Sequence, residues 1–122
     1  MNREEAVIQL AQLSVVPTLG NQTIGVLLPS FADVKKFRQD LLARLREIPP
    51  WLAEPMVRNN TRYIEMEHGF RIHFLHTVRS ARGRTFNAFY ISSRLTEKQK
   101  TQYVFDLLPA MVHSRPILTF DD

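Results

Sequence analysis

One short segment limits what this chain can fold into, because it is apolar almost throughout. Residues 23–28 read Thr-Ile-Gly-Val-Leu-Leu and are followed directly by Pro29. The run is too short for a helix, and it lacks the alternation of apolar and polar residues that marks a strand with one solvated face. Continuous apolar strands occur mainly in parallel sheets that are covered on both faces. The segment therefore predicts an α/β protein with helices on both sides of a largely parallel sheet.

Amphipathic segments supply the helices that such a sheet needs. In residues 30–47, apolar side chains recur at spacings of three and four, and Ser30 with Asp33 resembles a capping box in which Asp replaces the usual Glu or Gln. After this helix, we expect an apolar cap at Trp51-Leu52 and a turn at Asn59-Asn60, with no strand between them. The predicted helices are 3–16, 30–47 and 96–113.

A β-hairpin and two single strands complete the predicted elements. The hairpin turns at the dipeptide His68-Gly69, since a two-residue turn that needs positive φ favours Gly at its second position. The order helix, strand, helix, hairpin, strand, helix, strand contains the βαβ alternation of a parallel sheet. The predicted strands are 23–28, 62–67, 70–76, 86–91 and 117–120.

Length and composition narrow the class of protein further. With 122 residues, the chain is expected to form one domain, residues 1–122, with a single core. No apolar run approaches the roughly 20 residues of a membrane span, so no membrane insertion is expected. The acidic start at Glu4 and Glu5 lacks the layout of a secretory signal, which predicts a cytoplasmic protein. The absence of cysteine excludes disulfides and thiol chemistry.

Arginine is concentrated in one part of the chain, and this part is the candidate binding surface. The net charge is only +4, but every basic residue from position 58 to position 84 is an arginine, whereas the lysines lie in predicted helices. Arginine suits a planar grip on phosphate or carboxylate. The alternative is a set of surface ion pairs, with Glu65, Glu67 or Asp106 as partners for Arg82. The residues proposed to bind protein or phosphate are Arg71, Arg79, Arg82, Gly83 and Arg84.

Taken in order, these segments resemble one known family, the ATPase domain of the large terminase subunit, which is the DNA-packaging motor of tailed phages. In that family, a buried strand and an amphipathic helix precede a hairpin, an Arg-Gly loop, an apolar strand that ends in two acids, a helix, and a strand with a coupling Ser or Thr. The resemblance implies a phosphate-loop NTPase core that lacks its first strand and its phosphate loop. It is carried by residues 23–28, 31–48, 61–76, 82–83, 86–91 and 116–119.

Two departures from the family pattern decide the expected function. No G-x-x-x-x-G-K-[ST] motif occurs, so the main anchor for a triphosphate is missing. Ser92-Ser93 stands where the resemblance implies the acidic pair, and neutral hydroxyls supply neither the charge nor the base that phosphoryl transfer needs. Thr119 falls at the coupling position. We therefore expect no ATP hydrolysis, no nucleotide cofactor and no bound metal.

The other residues that could bind a metal ion are also better explained without one. Asp121-Asp122 imitates an acidic pair after a strand and is the one place for Mg²⁺, but a frayed acidic terminus is the favoured interpretation. His73 and His76 lie three apart on a predicted strand, so their side chains are expected on opposite faces and do not share a metal.

The function predicted from the sequence is that of a phage-encoded, non-catalytic binding or regulatory protein. Its expected partner is a protein, either the packaging machinery or a host enzyme that it inhibits. Two alternatives remain open: a nucleic-acid-binding module that uses the Arg-rich loop on DNA, and a fragment of a split packaging ATPase. Because the resemblance places the missing strand centrally, between the strand that ends in the acids and the strand with the coupling motif, we expect either a rearranged sheet or a homodimer built on a sheet edge.

Overall fold

The elements of the fold come from a computed structural model that describes residues 1–15, 21–49, 51, 56–77, 85–107 and 117–122. In this part of the chain, three helices and six strands are present. In chain order they are α1 (Arg3–Ser14), β1 (Thr23–Leu27), α2 (Phe31–Glu47), β2 (Met56–Asn59), β3 (Tyr63–Met66), β4 (Arg71–Leu75), β5 (Ala88–Ser92), α3 (Glu97–Leu107) and β6 (Ile117–Phe120).

The six strands form one sheet in the order β2-β3-β4-β1-β5-β6. The apolar strand β1 lies in the middle and pairs in parallel with β4 and with β5, as expected for a strand that is buried on both faces. β6 is parallel to β5, whereas β3 is antiparallel to both of its neighbours. The domain is thus a small α/β fold with a mixed sheet.

No gap separates β5 from β6, although the resemblance places a further strand between them. Ile91 pairs with Thr119 and Ser92 with Phe120, so the two strands are direct neighbours. The described sheet is therefore continuous from β2 to β6. Beyond β6, a single parallel bridge joins Asn2 to Asp121 and brings the start of α1 to the end of the last strand.

Helices cover both faces of the sheet. α1 and α2 lie on one face, where Leu10, Phe37 and Phe74 belong to the main core cluster. α3 lies on the other face, where Tyr103 and Leu95 pack with residues of β1, β4 and β5. The helix α2 begins after Ser30, whose hydroxyl accepts a hydrogen bond from the backbone N–H of Asp33, as the sequence predicts.

One strand, β2, is not predicted from the sequence. All four of its residues are exposed, and a bulge between Met56 and Arg58 interrupts its pairing with β3. An edge strand of this kind buries no apolar face, so it leaves no periodic signal. The predicted apolar cap is wrong for Trp51, whose side chain is 81% exposed, and Leu52 lies outside the described residues.

The turn of the hairpin is one residue longer than predicted. The backbone N–H of Met66 donates to the carbonyl of Phe70 at 2.8 Å, and that of Gly69 donates to Met66 at 2.9 Å. Three residues, 67–69, therefore form the loop, and Gly69 takes the positive φ of 96° that such a loop needs at its last position. The requirement for Gly is confirmed, whereas the two-residue turn is wrong.

Candidate functional site

Ligands of open α/β sheets bind beyond the carboxyl ends of the strands, where two successive connections leave toward opposite faces. In this chain that point lies between β1 and β5, because α2 follows β1 on one face and α3 follows β5 on the other. The side chains that gather there come from the ends of three parallel strands and from α1 and α2. We call this group the carboxyl edge: Arg3, Ser30, Asp33, Ser92, Ser93, Arg94 and Asp122.

Ser92 and Ser93 both form hydrogen bonds with Asp122 and hold it in place. Ser92 is fully buried, and its hydroxyl donates to Oδ2 of Asp122 at 2.9 Å and accepts from the backbone N–H of Arg94 at 3.2 Å. The hydroxyl of Ser93 accepts from the backbone N–H of Asp122 at 3.1 Å. Both hydroxyls therefore have structural partners within the domain.

Asp122 is an anchored residue, so the expected frayed terminus is wrong. Its side chain is only 3% exposed, and Oδ1 lies 2.8 Å from Nη1 of Arg3. Its neighbour Asp121 donates a backbone hydrogen bond to Met1 at 2.8 Å. The physical reason is burial: an ionised carboxylate is stable inside a protein only beside a positive charge and hydrogen-bond donors, and Arg3 and Ser92 supply both.

An ion pair spans the point between β1 and β5. Nη1 of Arg94 lies 2.8 Å from Oδ1 of Asp33 and 3.7 Å from Oδ2 of Asp122. Beside it, the side-chain amide of Gln99 donates to the carbonyl of Pro29 at 3.3 Å. The hydrogen bond from the Ser30 hydroxyl, assisted by Arg94, holds the pKa of Asp33 below its ordinary value. Within the described residues, no group of three or more His, Asp or Glu is placed to hold a metal ion.

The Asp33 carboxylate makes stability depend on pH in the acid range. Because the pKa of Asp33 is lower in the folded chain than its ordinary value of 3.8, its contribution is present above that value and is lost as the pH falls through the folded value. We expect Asp33→Asn to cost about 1 kcal/mol near neutral pH and less near pH ~2.5. Urea unfolding at both pH values tests this, with Asp121→Asn as the exposed control. An equal cost of Asp33→Asn at both pH values would contradict it.

A second polar site lies on the sheet face opposite α1 and α2. Along β3, Ile64 and Met66 belong to the main core, so Tyr63 and Glu65 project from the other face. Arg71 projects from the same face of β4. Together with two further residues these side chains line a cavity of about 220 Å³, which we call the polar sheet pocket: Arg58, Tyr63, Glu65, Arg71 and His73.

Glu65 lies between the two arginines of the polar sheet pocket. Its Oε1 accepts from Nε of Arg71 at 3.1 Å and lies 3.0 Å from Nη2 of the same residue. Its Oε2 lies 3.7 Å from Nε of Arg58, which also donates from Nη1 to the Tyr63 hydroxyl at 3.2 Å. The contact with Tyr63, together with Glu65, raises the pKa of Arg58.

Aromatic packing fixes the inner wall of this pocket. The rings of Tyr63 and His73 stack with centroids 5.1 Å apart, and His73 meets the ring of Phe86 edge-on at 6.0 Å. His76 lies elsewhere, with its ring 5.6 Å from that of Phe31 at the start of α2. The two histidines are thus kept apart, as their spacing predicts.

A second cavity, of about 330 Å³, lies between α1 and α2. Its charged groups pair with one another: Arg44 lies 2.7 Å from Glu4, and Nε of Arg3 lies 3.2 Å from Asp40. These pairs join the two helices, and we assign the groove a structural role.

The predicted site residues are distributed unevenly over the structure. Arg71 lies in the polar sheet pocket, Ser92 and Ser93 lie at the carboxyl edge, and Thr119 is exposed on β6. Arg79, Arg82, Gly83 and Arg84 lie outside the described residues. The sequence did not single out Arg58, Tyr63 or Glu65 as site residues. Only the alternation of polar residues along β3 could have indicated the last two, because Arg58 lies on the unpredicted strand.

Comparisons with known proteins leave the family open. No family model matches the sequence, and no curated protein matches it significantly. In the part of the chain that the structure describes, no helix has the length and the apolar character needed to cross a membrane.

Proposed function

We propose that this chain is a phage-encoded, non-hydrolysing relative of the terminase ATPase core and that it acts by binding another protein. The partner would belong to the packaging machinery or would be a host enzyme that the chain inhibits. One observation carries the proposal: ion pairs occupy the carboxyl edge, where a protein of this architecture would otherwise bind its substrate.

The chemistry of the carboxyl edge argues against phosphoryl transfer. That reaction needs carboxylates that are available to Mg²⁺ and a cluster of donors for the phosphates. Here Asp33 pairs with Arg94, and Asp122 pairs with Arg3 and accepts the hydroxyl of Ser92. A nucleotide bound there would have to displace the half-exposed Arg94 from Asp33 and break the largely buried pair of Arg3 with Asp122. Breaking a buried ion pair costs about 3–5 kcal/mol.

The polar sheet pocket is better suited to contact another molecule. Arg58 and Arg71 are 65% and 50% exposed, and arginine and tyrosine are enriched among the residues that dominate protein interfaces. On the edge strand β2, Val57 next to Arg58 is also exposed. Exposed apolar groups beside arginine and tyrosine are typical of a protein interface with an apolar centre and a polar rim.

The first part of the test concerns ATP. We expect the purified chain to show no ATP-dependent release of phosphate in the presence of Mg²⁺ and no saturable binding of ATP. Phosphate release by the chain alone would overturn the proposal. Phosphate release that appears only on mixing with a chain that carries a phosphate loop, and is lost on changing Ser92 or Ser93, would establish the split-ATPase alternative instead.

The second part concerns the partner. Proteins that co-purify with the chain from phage-infected cells would be purified singly and their affinity measured directly. We expect Arg71→Ala to weaken binding by roughly 10- to 30-fold, as at an interface hot spot. Arg46→Ala removes the same charge from an exposed position on α2 and should change nothing. If both variants bind the partner with equal affinity, the polar sheet pocket is excluded as the binding surface. Binding to DNA that weakens steeply with salt would favour the nucleic-acid alternative.

A further inference from the structure

We propose that the polar sheet pocket is an oxyanion site that takes one carboxylate side chain from an acidic segment of the protein partner. The inference rests on the proposed function and deepens it, because it names the chemical group that this surface recognises. The argument uses the hydrogen-bonding capacity, the charge and the size of the pocket, in that order.

The two guanidinium groups retain capacity for another anion. Each carries five N–H donors in a rigid, planar fork. Glu65 engages two nitrogens of Arg71, and Tyr63 accepts one N–H of Arg58. Most donors of both groups are therefore not used by these contacts, and the two side chains are at least half exposed.

Glu65 acts as a positioning residue in this arrangement. Its side chain is only 16% exposed and contacts both arginines, so it restricts their orientations before any ligand arrives. Preorganisation of this kind lowers the entropic cost of binding. Two arginines and one glutamate leave one net positive charge, which matches the single charge of one carboxylate.

The size of the pocket limits what can enter. Sites for whole small molecules usually measure about 300–1,000 Å³. The polar sheet pocket measures about 220 Å³, so it suits one side chain or a small anion. His73 and Tyr63 close the inner wall by their stacking, and an oxyanion would therefore approach from the side of the arginines.

The neighbouring surface favours a protein carboxylate over a nucleic-acid phosphate. A nucleic-acid strand presents a row of phosphates, and its affinity comes from several cationic contacts along that row. On β2, the residues beside Arg58 are Val57, which is 54% exposed, and Asn59, and neither carries a charge. Arg58 is thus the one charged residue of β2, and its uncharged neighbours fit an acidic residue of the partner that is followed or preceded by an apolar one.

The test uses small probes and NMR, because one isolated side chain binds weakly. The ¹⁵N-labelled chain is titrated separately with N-acetyl-glutamate N-methylamide, with its glutamine analogue and with dimethyl phosphate. We expect the glutamate probe to shift the amides of Arg58, Tyr63, Glu65, Arg71 and His73 in a saturable way. The glutamine analogue should leave the same amides unchanged.

Three variants then test whether the two arginines of the pocket bind the glutamate probe. Arg58→Ala and Arg71→Ala should each weaken binding of the glutamate probe at least fivefold, and Arg46→Ala should not, with thermal unfolding confirming that all three variants fold. Scattered or absent shifts with the glutamate probe would overturn the inference, as would tighter binding of dimethyl phosphate at the same amides. If the probe test fails in one of these ways and the purified partner still loses affinity on Arg71→Ala, only the inference has failed and the proposed function stands. If ATP is hydrolysed, the proposed function has failed.

Discussion

Phe37→Ala is expected to lower the free energy of unfolding by about 3–5 kcal/mol, the range for removing a large aromatic side chain from a packed core. Phe37 is fully buried on α2. Its ring centroid lies 5.5 Å from that of Phe120 and 6.3 Å from that of Phe74, and the guanidinium carbon of Arg3 lies 5.4 Å from the ring centre. The side chain thus joins both helices on one face to two strands of the sheet.

The loss is measured by urea unfolding monitored by circular dichroism. Phe31→Ala is the matched control, since Phe31 is on the same helix and 45% exposed, and it should cost less than about 1 kcal/mol. If the two variants unfold at the same urea concentration, the assigned packing of α2 against the sheet is incorrect.

Asp122→Ala is expected to cost about 3 kcal/mol, because it leaves a largely buried guanidinium without its main partner. Arg3 is 18% exposed and keeps a longer contact of 3.2 Å to Asp40, which places the effect at the lower end of the range for broken buried pairs. The change also removes the acceptor of the Ser92 hydroxyl. The start of α1 and the ends of β5 and β6 should loosen together.

Two measurements check this expectation. Urea unfolding gives the overall loss, and amide hydrogen exchange should show faster exchange at the end of β6 and in the first turns of α1. Asp121→Ala is the control: this residue is exposed, and it should cost less than about 0.5 kcal/mol. Similar losses for both variants would indicate that the terminal segment, and not the Asp122 carboxylate, carries the stabilisation.

Some elements of the fold could be predicted from the sequence because their signals lie within the element itself. α2 was expected at 30–47 and spans Phe31–Glu47, because a long run with regular apolar spacing and a capping residue contains its own signals. β1 was expected at 23–28 and spans Thr23–Leu27, with parallel neighbours on both sides. The start of the last predicted helix is also clear in the structure, because Thr96 and Gln99 form reciprocal capping hydrogen bonds of 2.9 Å and 3.1 Å there.

Less of the candidate sites could be predicted from the sequence. Arg71 was singled out as a binding residue, but its position beside Glu65 depends on the register of β3 against β4. Arg58 joins them only because an exposed, bulged strand adds to the edge of the hairpin. No periodic pattern encodes such a strand, because its residues are not sorted between an apolar and a polar environment.

The sequence by itself determined the α/β class, the position of the apolar central strand and the helix that follows it, since apolar spacing and end signals act over a few residues. Tertiary structure alone decided that β5 and β6 are direct neighbours, that Asp122 is anchored and that two arginines share one glutamate. The physical reason is distance along the chain. Arg3 and Asp122 stabilise each other across nearly the whole sequence, and a contact of that kind exists only after the sheet has brought both ends together.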